Sequence, residues 1–164
     1  MEEITRTVRD SAVETMHIVR PGDLNDAGRL YGGVLMSWID EVAALVGRRH
    51  TRMQVTTAAV ENLEFLHGAY QKDIIVISGR VTFVANTSME VRVDTYVEHQ
   101  SGQRDLINRA FMTLIGLDDN NRPARVPRLQ ISTDEEREAW ESAEMRRNMR
   151  ARQTKEGFYF YGKQ

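Results

Sequence analysis

Apolar residues recur at three- and four-residue steps at Leu30, Val34, Trp38, Val42 and Leu45 or Val46, the period of an α-helix. The other faces of this stretch are apolar as well, so the helix belongs inside a core rather than on a surface. The pattern stops at Gly47, and Arg48-Arg49-His50 follow, basic residues that suit the negative end of a helix dipole. Gly33, Ser37, Asp40, Ala44 and Gly47 fall on one face, which is small-sided except for a single carboxylate.

Elsewhere the period is two. Val13, Thr15 and Val19 alternate with Met16 and Ile18, giving a strand somewhere between Val8 and Arg20. Gln54 to Leu66 reads as a second strand. Asp73 to Ala85 is a third, with Ile75, Ile77, Val81 and Phe83 on one face and Ser78, Arg80 and Thr82 on the other. The clearest pattern puts Met89, Val91, Val93, Thr95 and Val97 toward a core and Glu90, Arg92, Asp94, Tyr96 and Glu98 toward water. Leu106 to Leu117 returns as the fifth strand after a turn at Gln100-Ser101-Gly102.

One buried helix after the first strand, then four strands joined by tight turns, predicts an α+β architecture: an antiparallel sheet curled around a helix. Such a sheet leaves an edge or face in need of cover, which favours self-association. Ser132-Thr133-Asp134-Glu135-Glu136 then opens a second helix with a capping box. It runs to about Gln153, acidic early and basic late, and reads as a solvated helix whose charges suit its dipole, or as a phosphate site built on Arg146, Arg147, Arg150 and Arg152. Phe158 to Tyr161 form an aromatic tail that docks on a neighbour or is disordered. The chain divides into a folded unit over residues 1–130 and a charged helix with its tail over 131–164.

Composition narrows the chemistry. With 164 residues, 41% of them hydrophobic, the chain is long enough for one real core. A net charge of −2 leaves no basic excess for nucleic acid, and the absence of cysteine removes thiolate nucleophiles and cysteine metal sites. No stretch approaches the ~18 consecutive apolar residues of a membrane helix, and the polar start is unlike a secretory signal. A soluble, cytoplasmic protein is the expectation. His17, His50, His67 and His99 lack metal-ligand spacing and read as structural or exposed, with His67 placed to line a cleft. No Gly-x-Ser-x-Gly elbow, P-loop or dinucleotide fingerprint occurs.

The remaining feature is a glycine loop entering a helix. Free first-turn amides near Gly32 and Gly33 can hold an oxyanion or a polarised carbonyl. A carboxylate two turns on, Asp40, can act on that carbonyl's carbon directly or through water. Asp40 also fits a structural role, bonded to a neighbour or facing a subunit. Gly33 and Asp40 stand about 10 Å apart along a helix, so loop and carboxylate of one chain are expected to serve different sites completed by a partner.

The run Asn25-x-x-Gly28-x-x-x-Gly32-Gly33-x-x-Met36-x-x-x-Asp40, then Thr56 to Val60, Phe65-Leu66-His67, Thr87-Ser88-Met89-Glu90-Val91 and Val126-Pro127, resembles the hotdog-fold acyl-CoA thioesterases of the cytosolic acyl-CoA hydrolase type. The resemblance implies a hotdog fold, with a five-stranded antiparallel sheet wrapped around the central helix. It also implies a homodimer at least, assembled as a trimer of dimers, that hydrolyses fatty acyl-CoA to acid and coenzyme A with no metal or cofactor. In that reading Asp40 is nucleophile or general base, and Asn25 across the dimer interface positions water or the thioester carbonyl. Gly32 and Gly33 supply the oxyanion contact, while Thr87, Ser88 and Arg128 meet coenzyme A. The alternative is a non-catalytic acyl-CoA binding or sensing protein. Family members usually carry a proline soon after His67; Gly68-Ala69 stand here and predict a looser turn.

Overall fold

The computed structural model describes residues 4–157, so the tail from Phe158 to Tyr161 lies outside the described residues. Five strands, β2 (Val13–Ile18), β3 (Gln54–Phe65), β4 (Ile74–Val84), β5 (Ser88–Glu98) and β6 (Arg104–Leu117), form one antiparallel sheet in the order β2-β4-β5-β6-β3. The long helix α2 (Gly32–Thr51) lies on its concave face. The predicted sheet around a helix is therefore present.

Packing between helix and sheet is close enough to demand glycine at two places. A Cβ on Gly79 of β4 would stand 2.7 Å from Val42 Cγ1, and one on Gly47 would stand 2.8 Å from Leu114 Cδ1. Ile39, Val42, Val46, Ile75, Ile77, Val91, Val93, Met112 and Leu114 are sealed between the two layers. Each such side chain contributes about 1.5–3 kcal/mol by leaving water, so this contact dominates the stability of the fold.

Gly47 does not end the helix, as its sequence position suggests. It is a buried interior residue that lets α2 approach β6, and the helix runs on to Thr51. Arg52 supplies the left-handed stop, with φ of 60° and its amide donating to the Arg48 carbonyl at 2.8 Å. The first strand is also shorter than the Val8 to Arg20 span. Val8–Ser11 is a helical turn, α1, because Thr7 and Asp10 cap each other: Thr7 N donates to Asp10 Oδ2 at 2.8 Å and Asp10 N to Thr7 Oγ1 at 3.3 Å. Two short strands had no sequence signal, β1 (Thr5–Thr7) and β7 (Arg128–Gln130), which pair in parallel.

The convex face of the sheet is not wet. Helix α3 (Asp134–Lys155), capped by Thr133 Oγ1 accepting from Glu136 N at 3.1 Å, packs across it. A bulge between Val81 and Phe83 turns Phe83 away from the concave face, placing it opposite Glu90, where its ring meets Trp140 of α3 at 4.4 Å. Arg146 and Arg150 of this helix pair with Glu90 and Glu61 of the sheet, and Arg152 with Glu156 just past the helix end, so these three arginines hold carboxylates rather than a phosphate. No helix among the described residues is long and apolar enough to cross a membrane.

Candidate active site

The loop before α2 is fixed by the side chain of Asn25. Its Oδ1 accepts from the amides of Ala27 at 3.0 Å and Arg29 at 3.1 Å, while Gly28 takes the positive φ of 72° that closes the turn. Two backbone donors on Oδ1 assign the amide orientation and leave Nδ2 as the group turned to other partners. Tyr31 N donates to Asp23 O at 2.8 Å and Leu30 N to Ala69 O at 2.7 Å, which sets where the helix begins. Gly32 and Gly33 then occupy the first turn, where no helical carbonyl precedes their amides.

The turn after His67 is held, not loose. Ala69 is buried, its carbonyl binds Leu30, and Tyr70 N donates to Asp73 Oδ2 at 2.8 Å. This turn therefore braces the glycine loop from outside, and His67 lines a groove of about 640 Å³ with Tyr70, His99 and Asp105 beside it.

Asp40 sits midway along α2 on the side that neither β2 nor the sheet interior covers, and it is exposed. One partner holds it. Thr57 Oγ1 of β3 donates to Asp40 Oδ1 at 2.6 Å, a charge-assisted bond in the short range for such pairs. Thr57 borders an irregularity in the pairing of β3 with β6, a place where a strand re-aims its side chains. Thr57 belongs to the run that carries the family resemblance, but nothing in its period or type marked it as the partner of the acid.

Thr87, Ser88 and Arg128 gather at the far end of α2. The Thr87 carbonyl accepts from Gly116 N at 2.9 Å, Ser88 opens β5 opposite Ile115, and Arg128 follows Pro127, whose carbonyl lies 3.0 Å from His50 Nε2 near the helix C-terminus. Within one chain the expected site residues therefore form three groups: Asn25, Gly32 and Gly33 at the start of α2, Asp40 at its middle, and Thr87, Ser88 and Arg128 beyond its end. A 20-residue helix is about 30 Å long, so these groups do not converge on one reacting atom inside a single chain.

The acids with the strongest electrostatic environment lie elsewhere. Burial alone would raise the Asp94 carboxyl, but the guanidiniums of Arg92 and Arg109, at 2.6 Å each, outweigh it and hold the group below its usual range. Glu90 accepts from Thr82 Oγ1 at 2.7 Å and from Arg146 Nη2 at 2.8 Å. Burial pushes the His50 imidazole down, against the Pro127 carbonyl that favours its protonated form. His17 stacks on Trp38 at 4.2 Å, and His99 pairs with Asp105 at 2.7 Å. Among the described residues no group of three or more His, Asp or Glu is placed to hold a metal ion.

A profile described as the thioesterase superfamily matches residues 27–102. An uncharacterised acyl-CoA thioester hydrolase of Bacillus subtilis is 38% identical over 147 residues, 89% of this chain and 86% of that one. The chain belongs to the thioesterase superfamily. Its fold is accordingly the hotdog fold. The cytosolic acyl coenzyme A thioester hydrolase of Rattus norvegicus is 35% identical over 85% of this chain, which spans only 38% of that longer relative. Among solved structures, an apo-hexameric acyl-CoA thioesterase superposes with a TM-score of 0.88 at 31% identity, covering 92% of this chain and 97% of its own. The acyl-CoA hydrolase of Staphylococcus aureus, solved with butyryl coenzyme A, coenzyme A and coenzyme A disulfide, superposes with 0.86 at 28% identity, covering 94% and 96%. That hydrolase has also been solved with an asparagine, an aspartate and a threonine each replaced by alanine.

Proposed function

We propose that this thioesterase-superfamily chain hydrolyses acyl-CoA thioesters to the free acid and coenzyme A, with Asp40 as general base. The observation that carries the reading is the Asp40 carboxylate itself, exposed on the open face of α2 and held through one oxygen by Thr57. The asparagine, aspartate and threonine replaced in the Staphylococcus aureus hydrolase are spaced along that chain as Asn25, Asp40 and Thr57 are here.

The thioester carbonyl oxygen is received by the Gly32 and Gly33 amides and the Asn25 Nδ2 donor. Asp40, with Thr57 on Oδ1, takes a proton from a water through Oδ2, and the resulting hydroxide attacks the carbonyl carbon. The tetrahedral intermediate collapses, the carbon–sulfur bond breaks, and the proton on Asp40 passes to the departing thiolate. The groups come together across a twofold contact, Asn25 and the glycines from one protomer and Asp40 from its partner. Exposed Met36 and Leu45 on α2, with Val60 and Phe65 on the edge strand β3, support a partner on this side. A trimer of such dimers is the proposed assembly, in line with hexameric neighbours. Thr87, Ser88 and Arg128 are proposed to meet the nucleotide end of the substrate. The proposal uses no metal or separate cofactor, since coenzyme A is part of the substrate, and it places the reaction in the cytoplasm.

A thiol-release assay over short, medium and long acyl-CoAs tests this. Wild type is expected to release thiol and Asp40→Asn to fall by about 10²–10⁴-fold, the range for a lost general base, while still binding acyl-CoA. Full activity in the variant rejects Asp40 as the base, and binding without turnover by the wild type rejects the hydrolase reading. Single-turnover reaction in ¹⁸O water that labels Asp40 would replace the base with a carboxylate nucleophile.

A further inference from the structure

The two glycines at the start of α2 have a feature that supplying amides does not require. A Cβ on Gly33 would lie 2.8 Å from Tyr31 Cε1 and 3.2 Å from Cζ, and one on Gly32 would lie 3.4 Å from Phe65 Cζ. One aromatic ring therefore rests on each glycine. These rings are nevertheless open to the surface, Tyr31 being 57% and Phe65 52% exposed, with Leu66 and Tyr70 exposed beside them. Tyr31 is the residue that caps the helix start and Phe65 ends the edge strand, so both are anchored by backbone on rigid elements.

We propose that Tyr31 and Phe65 are the walls of the slot that receives the acyl group next to the thioester, and that they select straight-chain over α-branched acyl groups. The inference rests on the hydrolase reading above, in which the Gly32 and Gly33 amides hold the carbonyl oxygen. A carbonyl oxygen sits about 2.9 Å from a donating amide nitrogen, and its carbon about 1.2 Å further on. The α-carbon thus lies near these glycines, where Tyr31 and Phe65 are the side chains closest to a Cβ on each. In the proposed slot the two rings leave room for a methylene and obstruct a second substituent. A Cβ on Gly33 would push the Tyr31 ring off its seat, whereas one on Gly32 would only touch Phe65 at ordinary contact distance.

The test compares butyryl-CoA with isobutyryl-CoA, equal in carbon count and different only in branching, on purified full-length wild type, Tyr31→Leu, Phe65→Leu and Phe65→Ala. Each is also weighed by sedimentation, since the same rings are candidates for subunit contact. Wild type is expected to prefer butyryl-CoA in kcat/KM by roughly tenfold or more, the scale of one misplaced methyl group in an apolar pocket. Truncating either ring is expected to cut that preference at least fivefold at unchanged mass, through a gain on isobutyryl-CoA. An unchanged ratio at wild-type mass overturns the assignment, as does an equal loss on both substrates together with a lower mass, which would make the rings assembly contacts. Tyr31→Phe keeps the ring and is expected to keep the ratio; if it does not, a ring wall is the wrong explanation. A wild type inactive on every acyl-CoA would defeat the hydrolase reading and this inference together, whereas an active wild type with insensitive variants defeats this inference alone.

Discussion

Acids occur in two settings on opposite sides of the sheet. On the convex side Glu90 and Asp94 are 7% and 6% exposed, and both oxygens of each are engaged by arginine, with Thr82 joining at Glu90. On the open side Asp40 has Thr57 and nothing else to hold it among the described residues. A carboxylate clamped through both oxygens by guanidinium groups on a covered face is not available for a substrate's proton, however perturbed its environment. A carboxylate with one hydroxyl partner is oriented and still free to react. Electrostatic perturbation alone would have pointed to Asp94, while partner count and exposure point to Asp40.

The largest separation between the two sides comes from the Asp40→Asn loss of about 10²–10⁴-fold in kcat/KM, which should leave unfolding free energy within about 0.5 kcal/mol of wild type, as for an ordinary surface change. A variant that loses stability in step with activity would place Asp40 among the structural acids. Next in size is the converse change. Asp94→Asn strands two arginines that are 19% and 39% exposed, so the 3–5 kcal/mol for breaking a buried pair is discounted to about 2 kcal/mol. Urea unfolding reads this loss, and turnover per folded molecule should not change. The same pair makes a pH prediction. Because the folded Asp94 carboxyl is held low, its contribution is present above an unfolded value of about 3.9 and disappears as pH falls through the folded one. In Asp94→Asn the stability curve should be flatter over that acid window.

Thr57→Val is the intermediate case. It removes the donor from Asp40 and keeps the shape, so kcat should drop roughly tenfold, the scale of one hydrogen bond to a charge, with the unfolding midpoint little changed. The smallest effect is expected on the concave face. Thr95 is fully buried and its Oγ1 has no partner; Thr95→Val removes an unmet polar group without changing shape, and stability should rise by up to about 1 kcal/mol. A loss there would mean that the hydroxyl is satisfied in solution.

What the sequence disclosed follows from which signals are periodic. Helix α2 repeats near 3.6 residues and β2, β4 and β5 at 2, so the sheet around a helix was legible in the sequence. Asp40 stood out because it is the single carboxylate on the small-sided face of that helix. Thr57 did not, since a threonine in a strand looks the same whether or not it faces an acid seventeen positions away. Glu90 and Asp94 were read as facing water because alternation shows which face is polar, not whether α3 will cover it. Phe83 changed faces at a bulge, which a strict two-residue count cannot register. Gly47 resembled a helix stop because close packing and termination both use glycine. Asn25 was legible as a loop residue, but only the structure shows that its carbonyl oxygen is spent on Ala27 and Arg29, leaving the amino group for a ligand.

The short parallel pair of β1 and β7 has a consequence for how the molecule is made. Thr5–Thr7 are made before the large sheet, yet their partners Arg128–Gln130 are synthesised only after the whole of it has been translated. Thr5–Thr7 therefore stay unmatched while the central helix and all five strands of the large sheet are made.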